Sequence, residues 1–336
     1  RVAGVHGEGT GAGGGKGGAG RGDIDALPIA EQTGLPYASR NEGYLHGCGQ
    51  DYNMTTAIGA ALIINERRKD FAGTIKVILQ PAEEVAADKD TPTGSVAVLN
   101  TGVLADVEAF YGTHDTNEAE PGTVIIGSGP DSGAVDKFHV TVHGRGTHAA
   151  RPQGGLNPIR PAVAIIEGIQ SIAGQDVDPA HPRVVTVTHV EAGSTWNVVP
   201  PEAFLEGTAR TAFPEDRTVI HDRLQALVDG VVAAYGVTAD FEWEYGSPSV
   251  MNDPHWSALA ASTATDVGFT VAAPHPSLGG EDFSYYLQQA PGAFIHIGVG
   301  NADRPMHGPT FFPKLDALAS GSDLLATVAL RTLKEL

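Results

Sequence analysis

The chain has one cysteine, Cys48, in 336 residues, so no disulfide can form within it. That scarcity suits a reducing compartment, and a cytoplasmic location is expected. Positive charge is also sparse: 21 Lys and Arg stand against 40 Asp and Glu, a formal net charge of -19. A nucleic-acid partner needs a basic face, so none is expected. No apolar stretch approaches the roughly 18 residues of a membrane-spanning helix, and no membrane role is expected. The chain opens Gly-rich and without an apolar h-region, so no signal peptide is read there. A hydrophobic content of 41% with a balanced mix of other residues describes a soluble globular protein. The length favours two domains.

Glycine dominates Gly11 to Gly22, and that segment is assigned no structure. Small and apolar residues from Met54 to Asn65 suit a helix packed tightly on a sheet. The apolar run Thr74 to Leu79 reads as a buried strand. A helix from about Ser95 to Asn100 and a strand at Val107–Tyr111 follow. Helices alternating with buried strands predict an α/β fold with a mainly parallel sheet. The pattern then changes. Lys137–Val142, Arg183–Val190, Ala203–Arg210 and Ala239–Tyr245 alternate as half-buried strands, and Pro158–Ile172 and Asp216–Tyr235 are amphipathic helices. Strand–helix–strand–strand–helix–strand is the ferredoxin-like order. The expected organisation is a discontinuous catalytic domain, 1–131 and 247–336, with an inserted ferredoxin-like α+β domain at 132–246.

Glu83 and Glu84 follow the strand at 74–79, in Gln80-Pro81-Ala82-Glu83-Glu84. Two adjacent carboxylates repel, and burying them uncompensated is costly. A solvated loop would resolve this, and so would a divalent cation, with one carboxylate as ligand and the other as base. Further chemistry-bearing clusters are Arg21-Gly22-Asp23-Ile24-Asp25-Ala26-Leu27-Pro28, His46-Gly47-Cys48-Gly49-Gln50-Asp51, Tyr111-Gly112-Thr113-His114-Asp115 and Met306-His307-Gly308-Pro309. Each borders an apolar segment, the usual position of sites at the carboxyl ends of strands. A single histidine is more often structural or exposed. Thiolate, imidazole and carboxylate occurring together form a transition-metal ligand set.

With these motifs the chain resembles the aminoacylase-like metallopeptidases, in the amidohydrolase branch that holds hippurate hydrolase, N-acetyl-diaminopimelate deacetylase and the indole-acetyl-amino-acid hydrolases. The resemblance runs from Arg21 onward. It includes Gln80–Glu84, Gly144-Arg145-Gly146-Thr147-His148-Ala149-Ala150-Arg151-Pro152, Asn197-Val198-Val199-Pro200, Gly207-Thr208-Ala209-Arg210 and Gly279-Gly280-Glu281-Asp282-Phe283-Ser284. It implies that Glu83 is the general base and that Cys48, Gln50, Glu84, His114 and His307 occupy metal-ligand positions. Asp23 matches an aspartate behind the site that orients a ligand. His148 matches a histidine that stabilises the oxyanion in the partner subunit's active site, which implies a homodimer. Arg210 and Asn197 match groups that hold a substrate carboxylate. The implied cofactor is Mn or Zn, as one or two ions.

Three positions depart from the branch pattern His-x-Cys-Gly-His-Asp-x-His and its later histidine loop. Gln50 and Asn53 replace the second and third histidines, and Asp115 stands where an apolar residue is usual. A glutamine carbonyl is a weaker, harder donor than imidazole, so the site is expected to hold one ion firmly or to prefer Mn²⁺. Alternatively, Gln50 still ligates and little changes. Asp115 is either a partner for an imidazole or a solvated strand end. The first functional reading is a hydrolase of N-acyl or N-aroyl amino acids. The second is an aminohydrolase releasing ammonia from an aminobenzoate, as the divergent relative nitroanthranilate aminohydrolase does. The third is a non-catalytic carboxylate-binding dimer.

Overall fold

The computed structural model describes residues 5–10, 16–85, 92–275 and 277–336. Its elements begin with β1 (Val5–Thr10), β2 (Gly17–Asp23), α1 (Gln50–Glu66), β3 (Thr74–Gln80), α2 (Gly94–Leu99), β4 (Val107–Thr116) and β5 (Thr123–Ile125). Next come β6 (Gly129–Pro130), β7 (Ala134–His143), β8 (Thr147–His148), α3 (Ile159–Ser171), β9 (Arg183–Ala192), β10 (Val198–Val199), β11 (Glu202–Thr211), α4 (Pro214–Tyr235) and β12 (Thr238–Tyr245). The remaining elements are β13 (Met251–Asn252), α5 (Pro254–Asp266), β14 (Thr270–Ala272), α6 (Ser284–Gln289), β15 (Gly292–Gly298) and α7 (Leu318–Glu335). Two compact units divide the chain. The first comprises Arg1–Asp131, Val250–His275 and Asp282–Leu336, and the second Ser132–Ser249 and Pro276–Glu281.

The first unit is built on a seven-stranded sheet in the order β1-β3-β2-β4-β15-β5-β14. The central strands β3, β2, β4 and β15 run parallel to one another, while β1 on β3 and β5 on β15 are antiparallel. Alternation along β4 feeds both faces: Ala109 and Tyr111 enter a core with α1, α5 and α7, and Phe110 enters another with Phe283, Tyr286 and Phe294. Helix α5 starts cleanly because the Asp253 carboxylate accepts from the N–H groups of His255 and Trp256 at 2.9 and 3.0 Å.

The structure corrects one expectation. The glycine-rich opening contains the central strand β2, Gly-Gly-Ala-Gly-Arg-Gly-Asp, and every residue of it is buried. Residues 11–15 of that segment lie outside the described residues. Glycine is disfavoured in strands, yet in β2 it permits close approach. A Cβ on Gly17 would stand 2.8 Å from the Asp106 carbonyl oxygen, and one on Gly22 would stand 2.5 Å from the Asn53 carbonyl oxygen of α1. The parallel pairing gathers the carboxyl ends of β2, β3 and β4 along one edge of the sheet. Asp23, the turn at 81–84 and His114 therefore converge there.

The second unit is a four-stranded antiparallel sheet in the order β12-β7-β11-β9. Helices α3 and α4 supply Ile165, Ile169, Ile220 and Leu224 to a core with Phe138, Val140, Val142 and Leu205. The chain order β7-α3-β9-β11-α4-β12 with this strand order is the ferredoxin-like topology.

Candidate metal centre

Three short segments of the first unit build the centre. The loop before α1 presents Cys48 and ends at Gly49, whose φ of 72° turns the chain into the helix. A side chain at position 49 is excluded, since its Cβ would lie 2.1 Å from the Asp115 carboxylate. The turn after β3 presents Glu83 and Glu84, and its preceding residue, Ala82, holds φ at 59°. His307 also lies in the left-handed region, at φ 62°, and its N–H is fixed 2.7 Å from the Gly47 carbonyl. Non-glycine residues in this region are uncommon and concentrate at functional sites.

Donor atoms of Cys48, Glu84 and His307 all lie within 4.8 Å of one another. His307 Nε2 is 3.5 Å from Glu84 Oε1. His114 Nε2 lies 3.7 Å from Cys48 Sγ. His114 Nδ1 donates to the Asp115 carbonyl oxygen at 2.7 Å, which leaves the Nε2 lone pair facing the cysteine. Thiol, carboxylate and imidazoles at this spacing fit a divalent transition metal. Glu83 is half-buried on the same turn, with a carboxylate oxygen within 4.8 Å of one from Asp282.

Gln50 reaches the centre but not as an open donor. Its Oε1 accepts from the Asp25 N–H at 2.5 Å and its amide nitrogen donates to Glu84 Oε1 at 3.1 Å. Asn53 plays a matching part, donating to Asp23 Oδ1 at 2.9 Å and accepting from the Asp115 N–H at 2.8 Å. Both amides tie a strand-end aspartate segment to a neighbouring site segment.

Sequence reasoning missed Arg21, Asp25 and Gln80 as supports, and read the loop with Asp282 only as shaping a pocket. Arg21 is fully buried in β2. Its guanidinium lies 3.3 Å from Asp23 Oδ2, 3.1 Å from Asp282 Oδ1 and 3.1 Å from Gln80 Oε1. Gln80 donates to Asp282, which also accepts from the Ser95 N–H at 2.9 Å. Asp25 accepts from the N–H groups of Ala82 and Glu84 at 2.6 and 2.9 Å, which holds the turn of the paired glutamates. The signal was present in the sequence: one arginine in a strand of glycines, and aspartates two residues apart at its exit.

Burial and negative charge dominate the electrostatics. Burial, then the carboxylates of Glu84, Asp115 and Asp23, push the Cys48 thiol well above its ordinary pKa. Burial raises Asp115 to about 7, partly offset by His114, with Asp23 and Asp51 raising it further. Both Asp115 oxygens and Asp23 Oδ2 are buried without a hydrogen bond. A cluster of this kind stores an energetic cost that a cation removes.

The remaining candidates belong to the second unit. His148 is exposed on β8, which pairs with β10, and its Nδ1 accepts from the Ala150 N–H at 3.1 Å. Asn197 adjoins it, its carbonyl accepting from the Ala149 N–H at 3.0 Å. Arg210 is half-buried on β11 and donates to Thr208 Oγ1 at 3.1 Å.

Residues 19–331 match the model of peptidase family M20/M25/M40. The chain is 38% identical over 317 residues to N-acetylcysteine deacetylase of Bacillus subtilis (strain 168), covering 94% of this chain and 82% of that one. It is 32% identical over 326 residues to an IAA-amino acid hydrolase of Arabidopsis thaliana, covering 94% and 73%. A crystal structure of a dinuclear metal-binding peptidase of the M20 family from Bacillus subtilis superposes with a TM-score of 0.87 at 35% identity. That likeness covers 100% of this chain and 88% of the other. The chain belongs to peptidase family M20/M25/M40 and is, by that membership, a metal-dependent hydrolase acting on C–N bonds.

Proposed function

We propose that this protein hydrolyses the amide bond of small N-acyl amino acids. The observation that carries the reading is the trio Cys48, Glu84 and His307, with Glu83 on the same turn as its ligand neighbour. A divalent cation, Mn or Zn, held there would polarise the substrate carbonyl and acidify a water molecule. Glu83 would take a proton from the attacking water and deliver it to the leaving nitrogen. Asp25 keeps Glu83 in place by fixing the backbone on either side of it. Arg210 and Asn197 hold the substrate carboxylate, and His148 donates to the developing oxyanion across a homodimer.

The case for aminobenzoate deamination lies in the missing histidines at 50 and 53. Both amides have a bracing role that needs no change of chemistry. Likeness to a deacetylase and to an amino-acid conjugate hydrolase also supports amide cleavage. The test is a paired screen with metal-loaded protein: amino-acid release from N-acetyl and N-benzoyl amino acids against ammonia release from aminobenzoates. Amide turnover is expected. Ammonia release alone would overturn the reading. Glu83→Gln should lower kcat by about 10²–10⁴-fold while metal content stays unchanged.

A further inference from the structure

The first unit holds a cavity of about 140 Å³, formed by the segments 31–51 and 311–315. None of Cys48, Glu83, Glu84 and His307 lines it. Three aromatic residues do: Tyr37 is exposed, Phe312 half-buried and Phe311 fully buried. The cavity therefore runs from solvent into the fold. Three titratable residues also line it, Glu31, His46 and Asp51. Among the described residues no lysine or arginine does.

Its two sides are held in place. The Gln32 N–H donates to the Pro309 carbonyl at 2.8 Å, which ties one segment to the other. The Thr33 hydroxyl donates to Glu31 Oε1, and the Ser39 N–H donates to Glu31 Oε2 at 2.7 Å. These bonds fix the carboxylate but bring no countercharge. Asp51 sits in the first turn of α1 and accepts from the Tyr52 N–H at 3.0 Å. Two carboxylates against one imidazole leave the lining negative beside apolar walls.

That combination selects an occupant. An anion would meet the carboxylates. A hydrocarbon would strip them of water without replacing it, and an inorganic ion would leave the rings unfilled. An organic ammonium answers both needs, and aromatic faces attract it as well. Phe312 already serves a cation in this way, since the Arg304 guanidinium lies 4.8 Å from its ring centre. Size sets the body of the ligand: a cavity of about 150 Å³ takes a benzene ring.

We propose that this cavity binds a small primary ammonium ion carrying one ring or a short alkyl group. Glu31 and Asp51 accept from the ammonium through charge-assisted hydrogen bonds. Phe311 and Phe312 pack against the apolar body. The site does not depend on the reaction proposed above.

The test titrates the full chain with benzylamine, and with benzyl alcohol and benzoate as neutral and anionic counterparts of like shape. Benzylamine should bind saturably and at least about tenfold more tightly than either, the difference expected of a hydrogen bond to a charged group. Asp51→Asn keeps the side chain's shape and removes its charge, so it should weaken benzylamine by about tenfold while leaving benzyl alcohol unchanged. In protein labelled at phenylalanine, NMR should show contacts from the benzylamine ring to Phe311 and Phe312. The probe series and the contacts need no variant. Equal binding of benzyl alcohol, no saturable binding of benzylamine, or contacts confined to other phenylalanines would overturn the proposal. So would an Asp51→Asn protein that folds and keeps full affinity.

Discussion

Gln50 and Asn53 are each bonded at both ends of the amide, and neither bond pair is replaceable by an apolar side chain. Asn53→Leu would strand the Asp23 Oδ1 acceptor and the Asp115 N–H in a buried place. Each orphaned group costs about 1–3 kcal/mol, so a clear fall in the urea midpoint of the metal-free protein is expected. Gln50→Leu should act likewise through the Asp25 N–H and Glu84. The sequence showed that two histidines were replaced. It did not show the replacements' task, because a hydrogen bond from Asp25 to Gln50 joins residues 25 apart in the chain. Cys48, Glu84, His114 and His307 were legible because their chemistry is rare and their positions follow apolar runs. Arg21 was not, because its partners Gln80 and Asp282 lie 59 and 261 residues away.

Among the elements, β2 shows where local propensity misleads. A propensity reading counts the order that glycine surrenders in a strand, not how closely its neighbours must come. Two glycines of this strand should therefore respond differently to alanine. At Gly18 the nearest neighbour of an added Cβ is 4.0 Å away, so Gly18→Ala should be neutral or stabilise by up to about 1 kcal/mol. At Gly22 the backbone of α1 is 2.5 Å from that Cβ, so Gly22→Ala should destabilise by about 1–3 kcal/mol. Thermal or urea unfolding of the two variants side by side checks this. Equal effects would mean that close packing is not what selects glycine in β2. The amphipathic helices and alternating strands of 132–246 were legible because each buries one face. Their periodicity survives whatever the neighbouring sequence does.

For the molecule as a whole, the buried negative charge links stability to pH and metal. Asp115 titrates near 7 when folded, against an ordinary value of 3.8. Between those values the folded state holds more protons than the unfolded one, so the Asp115 contribution to stability falls as pH rises through that window. Chelated protein should accordingly lose more of its melting temperature between pH 5 and pH 7.5 than metal-loaded protein does. Equal slopes would contradict the electrostatic account. Metal uptake should also release protons, because the raised Cys48 thiol must ionise to bind. Calorimetry in buffers of different ionisation enthalpy counts them. The proposed role of His148 reaches across subunits. Mixing inactive Glu83→Gln and His148→Ala proteins should therefore restore about a quarter of full activity, since half of randomly formed dimers are mixed and each has one intact site.

The left-handed backbone at Ala82 and His307 carries a mechanical consequence. Ala82 opens the turn that carries the ligand Glu84 and His307 is itself a ligand, so an ion held there would act as a latch on two sprung loops. When it is removed, these loops should slacken before any strand does, and hydrogen exchange should quicken first around 82–85 and 305–308. Ala82→Gly would ease the spring at its source. The variant should keep its fold or gain slightly in stability, yet grip the metal less well, so that a sturdier protein becomes a poorer catalyst.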